Sequence, residues 1–136
     1  MKRFAKVFTV LAATAILLGC PNGVSDQEEA DTTPPTVVSL SPAHLDETVS
    51  PATTKLVVTF SEPMYGGYSI CTAGNTFPAL IGAPVWTSDT TIEWTVSLNA
   101  DTIYSLSLNA ANYTNFKDAA GNALDPVYWA FITAAE

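Results

Sequence analysis

The side chains with chemical potential in this chain are two cysteines, Cys20 and Cys71, one histidine, His44, and acidic and aromatic residues set among turns. His44 lies between Pro42 and Pro51 with Asp46 and Glu47 nearby. A general base needs an oriented partner and a nucleophile, and neither a Gly-x-Ser-x-Gly elbow nor a second histidine accompanies it. A zinc site requires a fuller nitrogen and sulfur set than His44 and Cys71 supply. The expectation is therefore a protein that is not an enzyme. Asp118 and Asn122, with Asp125 or Glu62, offer hard oxygen ligands of the kind calcium prefers, but without an EF-hand spacing. The same residues close an Asx-type turn with no ion, so the expected cofactor is none, with calcium as the alternative. Trp86, Trp94, Trp129, Tyr65, Tyr68 and Tyr113 are sugar-stacking types, yet a small core also needs large aromatics. Tyr65 and Tyr68 flank Gly66 and Gly67 and are the expected exposed pair, a candidate contact site. Cys71 follows Ile70 and reads as a small buried hydrophobe in a strand, or as a thiol that pairs between chains.

Cys20 has the most specific context. Lys2, Arg3 and Lys6 precede the uncharged apolar run Val7 to Leu18, whose 12 residues fall short of the roughly 20 needed to span a bilayer. A cationic start and a short apolar run form a signal-peptide pattern. The run ends in Leu17, Leu18, Gly19 and Cys20, which resembles the lipobox of bacterial lipoproteins. The resemblance implies cleavage after residue 19 and acylation of Cys20, with more than one acyl chain, as a stable anchor requires. Residues 20–32 then read as a flexible acidic tether carrying Asp26, Glu28, Glu29 and Asp31, repelled by anionic headgroups. The implied partner is a membrane reached through the N-terminal lipid. Pro21 stands where enteric lipoproteins held at the inner membrane resemble one another in having aspartate, so the expected location is the bacterial cell envelope, at the outer membrane or cell surface.

Charge narrows the remaining partners. Five cations against 13 acids give a net charge of -8, and nucleic-acid binding through displaced counterions needs the reverse. Loss of residues 1–19 removes three cations and no acid, taking the net charge to -11. With 48% hydrophobic and only 13% charged residues, the chain has the apolar content of a folded domain.

The elements that must hold these side chains have a period of two. Ile92, Trp94, Val96 and Leu98 alternate with Thr91, Glu93, Thr95 and Ser97, and Tyr104, Leu106 and Leu108 with Ser105, Ser107 and Asn109. The first set of each predicts the buried face of a strand and the second its solvent face. The Asn99, Ala100, Asp101 link predicts a hairpin joining these two strands. Further strands are predicted at Thr36 to Leu40, Lys55 to Phe60, Tyr68 to Cys71, around Val85 and Trp86, and at Val127 to Thr133. About seven short strands separated by Pro, Gly and Asn turns predict an all-β, antiparallel sandwich with Greek-key connections.

Residues along this region carry a second resemblance. Thr33, Pro34, Pro35, Thr36 and Val37 lead to Ser39, Leu40, Ser41 and Pro42. Val57, Val58, Thr59, Phe60, Ser61, Glu62, Pro63 and Met64 follow, then Asp118, Ala119, Ala120, Gly121 and Asn122, then Phe131, Ile132 and Thr133. In this order they resemble the SbsA Ig-like domain family of bacterial Ig-like modules, over residues 33–136. The resemblance implies a structural, spacer or adhesive envelope module acting by non-covalent contact on an envelope protein. A module binding envelope glycan or calcium is the alternative.

Overall fold

The computed structural model describes residues 29–136, so the predicted signal peptide and Cys20 lie outside the described residues. Eight strands form two antiparallel sheets: β1 (Val37–Ser41), β2 (Lys55–Phe60), β3 (Ile70–Thr72), β4 (Ala79–Leu80), β5 (Val85–Ser88), β6 (Thr91–Ser97), β7 (Ile103–Leu108) and β8 (Val127–Ile132). The first sheet runs β1-β2-β6, with β4 and β5 pairing successive stretches of the far side of β6. The second runs β3-β7-β8. The predicted all-β Ig-like sandwich is the observed architecture, with β4 the strand that periodicity missed. Two residues are too few to display a period.

Alternation explains the core. Leu56, Val58 and Phe60 of β2 and Ile92, Trp94 and Val96 of β6 are buried, and they face Tyr104, Leu106 and Leu108 of β7 and Trp129 and Phe131 of β8. Each such aliphatic or aromatic side chain contributes about 1.5–3 kcal/mol on burial, and with no disulfide among the described residues this packing closes the sandwich.

The predicted hairpin between Thr91 to Leu98 and Thr102 to Asn109 does not form. β6 already pairs β2 on one side and β4 and β5 on the other, while β7 pairs β3 and β8. The connection therefore crosses from one sheet to the other, which turns both apolar faces onto one core. It is pinned by Asn99 N–H donating to the Tyr104 hydroxyl at 2.7 Å and by the Thr133 hydroxyl donating to the Asn99 carbonyl at 2.6 Å. The hairpin that does form joins β5 to β6 around Asp89 and Thr90.

Two residues expected on the solvent face of β7 are also buried. Ser105 is covered by the segment from Ala73 to Thr76: its hydroxyl accepts from Asn75 N–H at 2.8 Å and donates to the Ala73 carbonyl at 3.2 Å. Asn109 is wholly buried at φ +58°. Its amide nitrogen donates to the Phe116 and Leu124 carbonyls at 3.0 and 2.9 Å, and its oxygen accepts from Phe116 N–H at 3.0 Å. Both are cases of a loop folding back over a sheet, which a strand's own pattern does not encode.

The open side of β8 is occupied by the segment from His44 to Val49. Leu45 N–H donates to the Ala130 carbonyl, Ile132 N–H to the Asp46 carbonyl and Val49 N–H to the Ile132 carbonyl. His44 Nδ1 accepts from Ala130 N–H at 3.2 Å, and its ring meets Tyr128 edge-on. The one histidine thus seals a sheet edge, a common hazard for association.

The two buried core tryptophans differ in one respect. Trp129 Nε1 donates to the Pro42 carbonyl at 3.0 Å, whereas Trp94 Nε1 is buried without a partner and its ring meets Tyr68 and Phe116 edge-on. Replacing either by Phe leaves a similar void. Trp129→Phe also orphans a carbonyl, while Trp94→Phe removes an unpaired donor worth about 1–3 kcal/mol of desolvation. Urea denaturation is expected to show Trp129→Phe costing at least about 1 kcal/mol more than Trp94→Phe; equal costs would mean that Trp94 Nε1 is hydrogen bonded in solution.

Candidate functional site

One end of the sandwich gathers most of the residues with chemical potential. The segment leaving β2, Ser61 to Tyr65, lies antiparallel to Lys117 to Ala119. Tyr65 N–H donates to the Lys117 carbonyl at 2.8 Å and Ala119 N–H to the Pro63 carbonyl at 3.3 Å. The two runs distant in sequence, Ser61 to Met64 and Asp118 to Asn122, are thus paired neighbours in space.

Asp118 is 1% exposed. Its Oδ1 accepts from Asn122 N–H at 2.8 Å and its Oδ2 from Asn122 Nδ2 at 2.8 Å, while Gly121, at φ +97°, donates its N–H to the Asp118 carbonyl. Asn122 Nδ2 also donates to the Asp31 carbonyl at 3.0 Å, and two acceptors on one nitrogen fix the amide orientation. Asp118 and Asn122 therefore meet as acceptor and donor to each other. Asp125 is not part of the carboxylate group that forms here: one oxygen each of Asp31, Glu62 and Asp118 lie within 4.8 Å of one another. Three oxygens are about half of what calcium requires.

Two carboxyls of this group shift in opposite directions. Burial pushes Asp118 upward, but the side-chain and backbone hydrogen bonds from Asn122, then those from Gly121 and Ala120, outweigh it and hold Asp118 below its ordinary range. Asp118 thus stabilises the fold at neutral pH, and that contribution is lost as pH falls through its lowered range. Glu62 is raised, by desolvation first and then by the charges of Asp31 and Asp118. Its folded form holds the proton more tightly than the unfolded chain does, so it costs stability once pH exceeds the ordinary carboxylate range near 4.3. Glu62→Gln is expected to raise Tm at pH 7, with the gain fading below about pH 4. A bound calcium ion would reverse that sign, so the same melts in calcium and in EDTA decide whether the cluster holds one.

Beside the turn lies a cleft. Tyr65, Tyr68 and Tyr113 are 79%, 43% and 61% exposed. Two adjoining concavities of about 390 and 420 Å³ share Tyr68 and Asn115; one extends to Tyr65 and Lys117, the other to Tyr113 and to Cys71 on β3. The floor is rigid for definable reasons. Gly66 at φ +96° presents its carbonyl to Trp86 Nε1 at 2.8 Å. A Cβ on Gly67 would stand 2.8 Å from the Asn115 carbonyl oxygen, so only glycine permits this approach of the loop to the β7–β8 connection. Asn115 N–H donates to the buried Ser69 hydroxyl at 3.2 Å. Trp94 and Trp129 are core residues, and half-buried Trp86 packs on Phe60 and Phe116. The loop tyrosines, unlike the tryptophans, face solvent. Cys71 is half-exposed on a sheet edge instead of buried. Asn115 and Lys117 were not singled out from sequence, because what marks them is the company of Tyr65 and Tyr68, remote in the chain.

A family profile described as Bacterial Ig-like domain matches residues 31–133. The chain belongs to the bacterial Ig-like domain family. That family consists of non-catalytic modules, in keeping with the structural employment of His44. Among solved structures, an L,D-transpeptidase from Mycobacterium smegmatis is 20% identical over 75% of this chain and 41% of that one, with a TM-score of 0.43. The S-layer protein rSbsC(31-844) is 20% identical over 75% of this chain and 14% of that one, with a TM-score of 0.47. This Ig-like chain thus spans less than half the length of either. The curated proteins compared contain no match.

Proposed function

We propose that this Ig-like protein is a lipid-anchored component of a bacterial cell envelope, holding a closed sandwich off the membrane as a spacer or adhesive module that acts by non-covalent contact. The observation that carries this reading is the run Leu17, Leu18, Gly19, Cys20 behind a cationic start and a short apolar segment. The acidic tether and domain support it. Acyl chains hold the protein at the bilayer while a net charge of -11 after processing repels the domain from anionic headgroups, favouring outward presentation at the outer membrane or cell surface. Palmitate-analogue labelling of cells tests it. The expected result is a labelled, membrane-fractionating wild type and an unlabelled Cys20→Ala variant; a wild type as unlabelled as the variant overturns it.

A further inference from the structure

We infer that the tyrosine cleft beside β3 is a binding site for an uncharged hexopyranose chain. The rings of Tyr65, Tyr68 and Tyr113 stand exposed around two adjoining concavities that share Tyr68 and Asn115, each within the size range of small-ligand sites. Tyrosine faces match the C–H faces of pyranoses, and exposed rings bring contact area at little cost in side-chain freedom. The polar groups lining the cleft, Asn115, Lys117 and the tyrosine hydroxyls, suit hydroxyl and acetal oxygens.

Charge selects the class of sugar. Between residues 29 and 136 the cations are Lys55 and Lys117, set against eleven carboxylate side chains. Lys55 is paired with Glu93 across the sheet. Lys117 lies in the cleft and has no carboxylate partner among the described residues. An anionic polysaccharide would meet a repulsive domain field, and a cationic one would meet Lys117 where it must dock. A neutral chain meets neither, and Lys117 serves it as a hydrogen-bond donor. An extended peptide added to the edge is disfavoured because β3 offers three residues, too short a ladder for strand addition. The close backbone approach of Gly67 to Asn115 fixes the loop between Tyr65 and Tyr68, and the Tyr68 ring rests edge-on against Trp94, which lowers the ordering required on binding.

The test uses the full chain in detergent micelles, titrated by calorimetry with cellohexaose, maltohexaose and fully N-acetylated chitohexaose, with polygalacturonate as the anionic comparator and an unrelated extended peptide as a third arm. The expected result is millimolar or tighter binding of at least one neutral hexaose, changing less than about twofold between low and high salt. Tyr65→Ala and Tyr113→Ala, at the most exposed positions, are expected to weaken it about tenfold each with an unaltered melt. No neutral hexaose bound, retention by both variants, or tighter binding of polygalacturonate or peptide would overturn the inference. Labelling at Cys20 is unaffected by any of these outcomes, so this proposal and the lipid-anchor reading fail separately.

Discussion

Asn109→Ala is expected to destabilise the domain by about 3–5 kcal/mol, the sum of three lost buried hydrogen bonds and the stranded backbone groups they leave. A domain of this size has about 5–15 kcal/mol in total, and the corresponding fall in Tm is about 15 °C or more. Asn109 ends β7 and stitches the long β7–β8 connection to the core by binding Phe116 through both its N–H and its carbonyl, and Leu124 through its carbonyl. Asn109→Asp is expected to be at least as damaging, since it exchanges two satisfied donors for a buried negative charge aimed at two carbonyl oxygens. Asn109→Gly separates the causes. Glycine accepts the φ of +58° without strain, so a glycine variant that melts like wild type would locate the role of Asn109 in its backbone, whereas persistent loss confirms the side-chain bonds. Urea denaturation of the three variants supplies the comparison.

Phe116→Ala is expected to cost a similar amount, about 3–5 kcal/mol for truncating a fully buried aromatic. Its ring lies 5.1 Å from Phe60, 6.3 Å from Trp86 and 6.3 Å from Trp94, three rings from β2, β5 and β6. Phe116 is thus the point where the β7–β8 connection is driven into the first sheet. Asn109 fixes its backbone and the aromatic cluster its side chain, so the two substitutions share a structural unit. The double variant is expected to lose less than the sum of the singles, with a coupling of about 0.5–3 kcal/mol. Strict additivity would show that the connection is held elsewhere. The tyrosine cleft lies along the same stretch, at Tyr113, Asn115 and Lys117, so loosening Phe116 is expected to disorganise it as well.

Fold class was legible because a half-buried strand writes its burial directly as alternation. In β6 the apolar positions are buried and the others open or partly open, and in β2 Leu56, Val58 and Phe60 are buried while Lys55, Val57 and Thr59 are not. Where a residue of β7 was misread, a non-local partner intervened: Ser105 under Ala73 to Thr76 and Asn109 under the β7–β8 connection. The β6–β7 link was read as a hairpin for a related reason. A short polar turn between alternating strands looks the same whether the second strand pairs with the first or crosses the core, and the choice depends on which strands already occupy the sides of β6.

The sequence by itself determined the alternating strands and their inward faces, the turn chemistry of Asp118 and Asn122, the acidity, and the run Leu17 to Cys20 on which the proposed lipid anchor rests. Each is a property of neighbouring residues or of summed composition, and such properties survive without a fold. Only the tertiary structure decided that Ser61 to Met64 pairs with the Asp118 turn, that Asp118 and Asn122 satisfy each other, and that Asn115 and Lys117 join Tyr65, Tyr68 and Tyr113 around one cleft. Those arrangements bring together segments some 50 residues apart, and they depend on the closure of two sheets over a shared core, which no local pattern records.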